Sequence, residues 1–482
     1  MIITRLAPSP TGKFHIGTAR TALFAWLFAR KNNGKFLLRV EDTDIERSKK
    51  EYVGDILEGM KWLGLNWDGE IIYQSKRLDI YRKYVDKLLS DGIAYKKDGA
   101  IFFKIRNPKS DLPANSVWQA GIRNNNQNTK YKIQNNIISF IDLVRGEIRF
   151  DLNDDKDFVI VKSDGTPLFM ISNCIDDAES GVTHVVRGED HISNTPRQIL
   201  LYSALGLEDK IPQFAHIPLI FNADHTKISK RQDPVSITDD FRDQGFLPEA
   251  MINYLALLGW HPTGEKEIFS IQELVNEFDL SRVQKSPAIF DMEKLLSINH
   301  HYLTELPNEQ ISVQLDHICH SRVESASQRI STSGIQRKND NSWIPCQARN
   351  DNIDIDRFVE IVKERAKTLN DIERFVGEII EIPDYNSEML VFKKSDKNAT
   401  KKALKIALDQ LDSLDQSSWT QEKIKSTLES IVVENNFSNG DVFWSMRVAL
   451  SGAEKSPPPE NIAWAIEKGE CIRRISDAID KL

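Results

Sequence analysis

Over its first third, the chain alternates short apolar runs with apolar stripes at helical spacing. Ile2-Ile3-Thr4-Arg5-Leu6-Ala7 predicts a short strand, and Pro8 to Gly12 a turn. From Ile16 to Arg30 the residues Ile16, Ala19, Leu23, Trp26 and Leu27 recur at helical spacing. Asn32-Asn33-Gly34 stops that helix. Phe36-Leu37-Leu38-Arg39-Val40 then predicts a second, buried strand, and strand–helix–strand implies a right-handed parallel crossover. The pattern returns later. Thr183 to Val186 is strand-like, Asn194-Thr195-Pro196 opens a helix to about Ala204 with Gly206 after it, and His216 to Ile220 predicts another strand. Two such blocks predict an α/β fold, a doubly wound parallel sheet interrupted by an insertion.

The inserted stretch, residues 73–168, mixes short strands with polar loops, and Asn124 to Asn128 predicts a mobile turn. After about Ser270 the pattern is mainly helical, with helices expected at Ile271–Phe278, Ile353–Phe375, Lys401–Leu411 and Thr420–Asn435. Residues 321–350 lack apolar periodicity and are rich in Ser, Asn, Gln and Arg, which predicts a disordered insertion between helices. The resulting division is 1–72 and 169–300 as two halves of one sheet domain, 73–168 as the insertion, and 301–482 as a helical domain.

With 482 residues the chain exceeds what one core usually organises. Hydrophobic residues at 40% and charged residues at 28% fit a globular protein, and no apolar run is long enough to cross a bilayer. The start at Met1 runs directly into a strand, which predicts no cleaved leader. Cys174, Cys319, Cys346 and Cys471 form no CxxC pair, arguing against a disulfide framework and suiting a reducing cytoplasm. The net charge of -8 means that any nucleic-acid surface must gather its cations on one face.

Two strings carry candidate chemistry. Pro8-Ser9-Pro10-Thr11-Gly12-Lys13-Phe14-His15-Ile16-Gly17-Thr18 places a His, a Gly and a Thr where a strand turns into a helix. A helix start offers free N–H groups and the positive dipole end, both suited to phosphate. A His can stabilise charge developing on phosphorus oxygens, and Gly17 lets a base lie against the backbone. Lys227-Ile228-Ser229-Lys230-Arg231 is a cationic loop that can neutralise a triphosphate as pyrophosphate leaves. Glu41 follows the second strand, at the rim where ligands of such sheets bind; Asp42, Thr43 or Asp44 can cap a following helix. Arg5 and Arg187 end strands on the same rim, and paired guanidinium forks favour carboxylate over amide.

Together these strings resemble the HIGH and KMSKS motifs of class I aminoacyl-tRNA synthetases, in the KxSKR form of the glutamyl/glutaminyl branch. The match continues through Arg187-Gly188-Glu189-Asp190-His191-Ile192-Ser193-Asn194-Thr195, Lys285 to Asp291 and Trp444 to Gly452. The resemblance implies a Rossmann-type sheet split by an acceptor-end-binding insertion, then an all-α anticodon-binding domain. It implies ATP contacts at His15, Gly17, Thr18, Lys227, Ser229 and Lys230, with His15, Lys227 and Lys230 catalytic. It implies glutamate contacts at Arg5, Ala7, Ser9, Glu41, Asn173 and Arg187, with Asp190 and His191 as scaffold, and an anticodon contact at Arg365. Mg²⁺ would accompany ATP. Some relatives carry zinc in the insertion, but residues 73–168 hold no Cys and no His, so no zinc is expected. The family has Tyr where this chain has Phe169, which removes a hydroxyl beside the substrate.

The activity implied is ATP-dependent formation of glutamyl-adenylate and transfer to tRNA(Glu), by a cytoplasmic monomer without membrane partners. A paralogue that charges tRNA(Gln) with glutamate, or charges both tRNAs, is excluded by nothing in the sequence. A silent RNA-binding relative would not need His15, Gly17, Lys227 and Lys230. A small-molecule nucleotidyltransferase of similar fold would not need the helical half.

Overall fold

The computed structural model describes residues 1–44, 46–105, 130–134, 137–153, 155–226, 228, 235–315 and 354–482. Three sequence expectations lie outside these residues: the turn at Asn124–Asn128, the lysines of the KxSKR string, and the segment 321–350.

The chain forms two compact units. One comprises residues 1–242 and 248–298, the other 243–247 and 299–482. In the first, β1 (Ile3–Leu6) pairs in parallel with β2 (Lys35–Val40), and β2 with β3 (Ile72–Tyr73). The crossover between β1 and β2 is α1 (Ile16–Lys31). Its small residues Ala19, Ala22, Ala25 and Ala29, with Leu23, Phe24 and Leu27, are all buried, so the helix is apolar nearly all round and lies inside the unit. Gly34 is required where it stands, because a Cβ there would lie 2.3 Å from the Ile2 carbonyl oxygen. Beyond Glu41, α2 (Lys50–Trp62) starts later than expected: Lys49 occupies the cap position. Asp42 is used elsewhere, accepting from the Ser75 backbone N–H (2.8 Å) and hydroxyl (2.7 Å).

The stretch 73–168 carries a helix that its polarity concealed, α3 (Leu78–Ser90), burying Tyr81, Val85 and Leu88. Strands β4 (Ala94–Lys97), β5 (Ala100–Phe103) and β9 (Phe158–Val161) form a small antiparallel sheet. Strands β6 (Tyr131–Gln134), β7 (Ile137–Asp142) and β8 (Gly146–Asp151) pair antiparallel with one another, and β7 also joins the main sheet. Tyr81, Phe103 and Ile138 therefore share one core with Ile171, Val185 and Phe214.

The second half begins with α4 (Phe169–Glu179), followed by β10 (His184–Gly188), α5 (Asn194–Ala204) and β11 (Gln213–Ile217). β10 and β11 run parallel with Arg187 opposite His216, and β7 flanks β11 with Asp142 opposite Phe214. The expected strand at 216–220 is interrupted at Pro218, which has no N–H to give to a ladder; β12 (Ile220–Phe221) resumes beyond it and pairs with β13 (Ala288–Ile289). The two halves meet where the Thr183 N–H donates to the Ile3 carbonyl (2.9 Å). From that seam one half winds outward through β1 and β2 and the other through β10 and β11. This is the switch point at which open α/β sheets leave a crevice at the strands' carboxyl ends. Helices α6 (Pro248–Leu257) and α7 (Ile271–Glu277) complete the unit, α7 closed by a capping box between Ser270 and Glu273.

The second unit is helical. The single helix expected over 353–375 is two, α8 (Ile355–Val362) and α9 (Leu369–Ile380), separated by a tight turn at Lys363–Arg365. Thr368 causes the restart: its hydroxyl accepts from the Asp371 N–H, and Asp371 in turn accepts from the Thr368 N–H. Helices α10 (Lys397–Asp412), α11 (Gln421–Glu434), α12 (Ser445–Ser451), α13 (Pro459–Ala465) and α14 (Glu467–Lys481) follow. Arg474 of α14 is buried and donates to the carbonyls of Ile379 (2.8 Å) and Leu450 (2.7 Å), satisfying helix ends that otherwise lack partners. Arg365 is exposed on the turn before α9, its guanidinium 5.3 Å from the Phe375 ring centre.

The fully buried Asp176 joins α4 to the start of the insertion, accepting from Arg77 (2.7 Å), Gln74 (2.8 Å) and Tyr81 (2.8 Å). Asp176→Asn removes the buried carboxylate that Arg77, Gln74 and Tyr81 share, leaving Arg77 only the longer contact to Glu179 (3.9 Å), and should destabilise this unit by about 3 kcal/mol. Urea unfolding with an unchanged midpoint would refute this.

Candidate functional site

A cleft of about 680 Å³ opens at the seam of the sheet. Arg5, Ala7, Ser9, His15, Gly17, Thr18, Glu41, Asn173 and Arg187 all line it. Lys227, Ser229 and Lys230 lie outside the described residues, but Ile228 and Val235, on either side of Ser229 and Lys230, line the same cleft. Arg365 belongs to the other unit.

The nucleotide side is built on the start of α1. His15 caps the helix, Nδ1 accepting from the Thr18 N–H (3.4 Å) and Nε2 lying 2.9 Å from the Thr18 hydroxyl. A Cβ on Gly17 would approach the imidazole to 3.2 Å, so the glycine keeps the ring's place clear. The chain beyond the lysine string is tied to this motif. The Val235 carbonyl accepts from the Ile16 N–H, and the Phe14 carbonyl from the Ile237 N–H, both at 2.8 Å. Buried Asp55 accepts from the Phe14 N–H and from the Thr238 hydroxyl, both at 2.6 Å. Asp240 accepts from the N–H groups of Val235 and Ser236. Neither aspartate belongs to a sequence motif, so nothing along the chain pointed to them.

The opposite side is a set of buried charges. Arg39 donates to Asp177 at 2.5 Å and to Glu41 at 3.4 Å, and Arg5 Nε donates to Asp177 at 3.2 Å. Burial raises the Asp177 carboxyl, but Arg39 and Arg5 outweigh it and hold the group below its ordinary value. For Glu41 burial prevails and the carboxyl is raised, although Arg39 and Arg5 oppose the shift. Asn173 donates to Glu41 at 2.6 Å, and its own buried carbonyl Oδ1 has no protein partner among the described residues. A carboxylate beside a bare amide oxygen suits an ammonium group, which has three donors and no acceptor.

Arg187 differs from Arg5 and Arg39. It is buried, with its guanidinium 5.2 Å from the Phe214 ring centre. Its partners are neutral: Nε donates to His216 Nε2 (3.1 Å), and Nη2 to the Thr195 hydroxyl (2.8 Å). No carboxylate among the described residues pairs with it. Burial, then the charge of Arg5, lowers its pKa to about 10. His216 Nδ1 lies 2.6 Å from Asp142 Oδ2. Asp142 also accepts backbone N–H groups of Val144, Arg145 and His216; it stays below its ordinary value because its bonds to His216 and these N–H groups overcome burial. An acceptor-only carboxylate assigns the imidazole proton to Nδ1 and leaves Nε2 to accept from Arg187. Phe169 faces the cleft with its ring 5.3 Å from that of His191.

Sequence reading missed Arg39, Asp142, Asp177 and His216. Arg39 carried the one usable signal, because an arginine inside the apolar run Phe36–Val40 demands a buried carboxylate. Among the described residues no three His, Cys, Asp or Glu side chains converge in a way that fits a protein-held metal ion. Nor is any helix among them long and apolar enough to cross a membrane.

Burial, only partly offset by Asp142, lowers His216 from the ordinary 6.5 to about 4. The unfolded chain therefore binds a proton below pH 6.5 that the native state excludes, and stability falls as pH falls toward 4. The loss from this group should reach about 2.5 kcal/mol by pH 4.5. Urea midpoints for the wild type and His216→Gln, followed down from pH 7, should show the shallower slope in the variant; parallel slopes contradict the assignment.

Comparison with known proteins identifies the family. Residues 1–101 and 112–297 match the catalytic-domain model of class I tRNA synthetases for E and Q, and residues 330–479 match an anticodon-binding domain model. Glutamate–tRNA ligase 2 of Thermoanaerobacter pseudethanolicus is 37% identical over 99% of this chain and 97% of its own length. Glutamate–tRNA ligase 1 of Petrotoga mobilis is 38% identical over 100% of this chain and 98% of its own. A crystal structure of a glutamate tRNA ligase from Elizabethkingia meningosepticum, in complex with its amino acid, superposes with a TM-score of 0.73 at 28% identity, covering 99% of both chains. The chain belongs to the class I tRNA synthetases of the glutamate and glutamine group, and within it to the glutamate–tRNA ligases.

Proposed function

We propose that this chain activates L-glutamate with ATP and transfers it to the 3′ end of tRNA(Glu). The observation that carries the reading is Arg187, a buried, cleft-lining guanidinium whose hydrogen-bond partners among the described residues are all neutral. Such a group binds a ligand carboxylate strongly and rejects an uncharged isostere, which would leave it buried and unpaired.

In the first step the α-carboxylate of glutamate attacks the α-phosphorus of ATP, the bond to the β-phosphate oxygen breaks, and pyrophosphate leaves. His15, Lys227 and Lys230 stabilise the phosphate charge, with Gly17, Thr18 and Ser229 beside the nucleotide and Mg²⁺ entering with ATP as part of the substrate. Arg5 and Arg187 hold the side-chain carboxylate. Glu41 and Asn173 receive the α-ammonium, with Ala7 and Ser9 completing the wall. In the second step a terminal ribose hydroxyl of the tRNA attacks the adenylate carbonyl and AMP leaves. No side-chain nucleophile takes part, so the rate gain comes from positioning and from charge stabilisation. Residues 73–168 would receive the acceptor end. The helical unit would receive the anticodon, with Arg365 as the candidate base contact. The protein would act as a monomer in the cytoplasm.

Aminoacylation with labelled glutamate, offering purified tRNA(Glu) and tRNA(Gln) separately, tests the reading. Charging of tRNA(Glu) alone is the expected result. Charging of tRNA(Gln) as well would broaden the tRNA substrate, and charging of neither would overturn the proposal. Lys230→Ala should lower the rate of adenylate formation roughly 100-fold, as removal of a charge-stabilising donor does. A rate equal to the wild type would remove that lysine from the mechanism.

A further inference from the structure

The interior side of Arg187 is arranged unusually for a buried cation. An ionised aspartate lies close behind it, yet the two do not touch. Asp142 binds His216 Nδ1 at 2.6 Å, and His216 Nε2 faces Arg187 Nε at 3.1 Å. Thr195 completes the support, its hydroxyl 2.8 Å from Arg187 Nη2 and 3.1 Å from His216 Nε2. All four side chains are buried. Registry builds the stack: Arg187 and His216 are opposite one another on β10 and β11, and Asp142 ends β7 on the far side of β11. The Asp142 carboxylate is fixed by the N–H groups of Val144 (3.0 Å), Arg145 (2.8 Å) and His216 (3.1 Å).

A carboxylate in direct contact with Arg187 would satisfy its charge and blunt its attraction for a substrate carboxylate. A neutral imidazole interposed between them orients the guanidinium through one N–H and leaves its charge unspent. No described residue accepts from Arg187 Nη1, so that donor pair remains for a ligand. We propose that Asp142 and His216 are positioning residues for glutamate binding: the aspartate fixes the imidazole tautomer, and the imidazole aims Arg187 at the substrate carboxylate without neutralising it. Asp142 comes from the stretch 73–168, so the insertion supplies part of the amino-acid site. This inference rests on Arg187 being a glutamate ligand.

The test is steady-state aminoacylation of tRNA(Glu), with KM measured separately for glutamate and ATP. Asp142→Asn frees the imidazole to place its proton on Nε2, against the Arg187 N–H. KM for glutamate should rise roughly tenfold or more, as when a charge-assisted hydrogen bond is lost, while KM for ATP and kcat change less than about threefold. His216→Gln sets an amide oxygen near the Nε2 position and should hold KM for glutamate closer to the wild type than His216→Leu does. Arg187→Lys separates the two layers of the argument. If it leaves KM for glutamate unchanged, the site reading falls and the relay with it. If it raises KM for glutamate while His216→Gln and His216→Leu behave alike, the relay alone is overturned. Thermal melting identifies unfolded variants; should Asp142→Asn not fold, the Gln and Leu pair decides. Parallel changes in both KM values and kcat would show a merely structural role and overturn the proposal.

Discussion

Three buried arginines at one seam of the sheet constrain everything around them. Arg5, Arg39 and Arg187 project from three strands into a region of low solvent access, where an unpaired guanidinium is costly. The protein answers with carboxylates from α4 and from the end of β2. Asp177 takes Arg5 and Arg39 together, and Glu41 takes Arg39. The placement of α4 follows from this, because Asn173, Asp176 and Asp177 all sit on it and all face charged or polar groups of the sheet and insertion. A helix bearing two adjacent buried aspartates is stable only against such a partner.

The nucleotide side obeys a different constraint. Its two motifs are separated by some two hundred residues, and the proposed chemistry requires them to act on one triphosphate. Backbone hydrogen bonds between Phe14–Ile16 and Val235–Ile237 bring the segments together, with Asp55 beneath them accepting from both. The start of α1 and the chain from Val235 onward, downstream of the lysine string, are thereby held at one place. The wide helical turn at Ile237–Arg242 begins directly after this junction, in keeping with the tendency of such turns to occur beside functional segments.

The strands and crossovers were legible because the sheet is buried on both faces, so that its apolar runs are unbroken and its crossover helices are rich in apolar residues at helical spacing. The motifs were legible because phosphate chemistry needs particular residue types at a strand–helix turn. What the sequence concealed came from competition between local signals and distant partners. Asp42 could have capped a helix, but Ser75 provides two donors to it. The helix expected over 353–375 has continuous apolar spacing, yet the reciprocal bonds of Thr368 and Asp371 restart it. Asp142, Asp177 and His216 carry no motif; they matter through pairings across 74, 172 and 29 positions of chain, and periodicity does not register contacts at such separations.

Charge balance then bears on selectivity. Asp177 bonds Arg5 and Arg39 directly and Glu41 bonds Arg39, whereas Asp142 reaches Arg187 only through the neutral His216, so among the described residues Arg187 touches no carboxylate. Glutamate brings a side-chain carboxylate that can pair with Arg187 directly. Glutamine is nearly the same size but neutral, and would leave Arg187 buried with only neutral partners. In this view discrimination does not depend on the hydroxyl absent at Phe169. It depends on a guanidinium that the protein orients and leaves uncompensated, so that the substrate must bring the missing charge. A site of this kind pre-organises a field rather than a shape, and the penalty for the wrong amino acid is the cost of a buried unpaired cation, which exceeds the cost of a single lost neutral hydrogen bond.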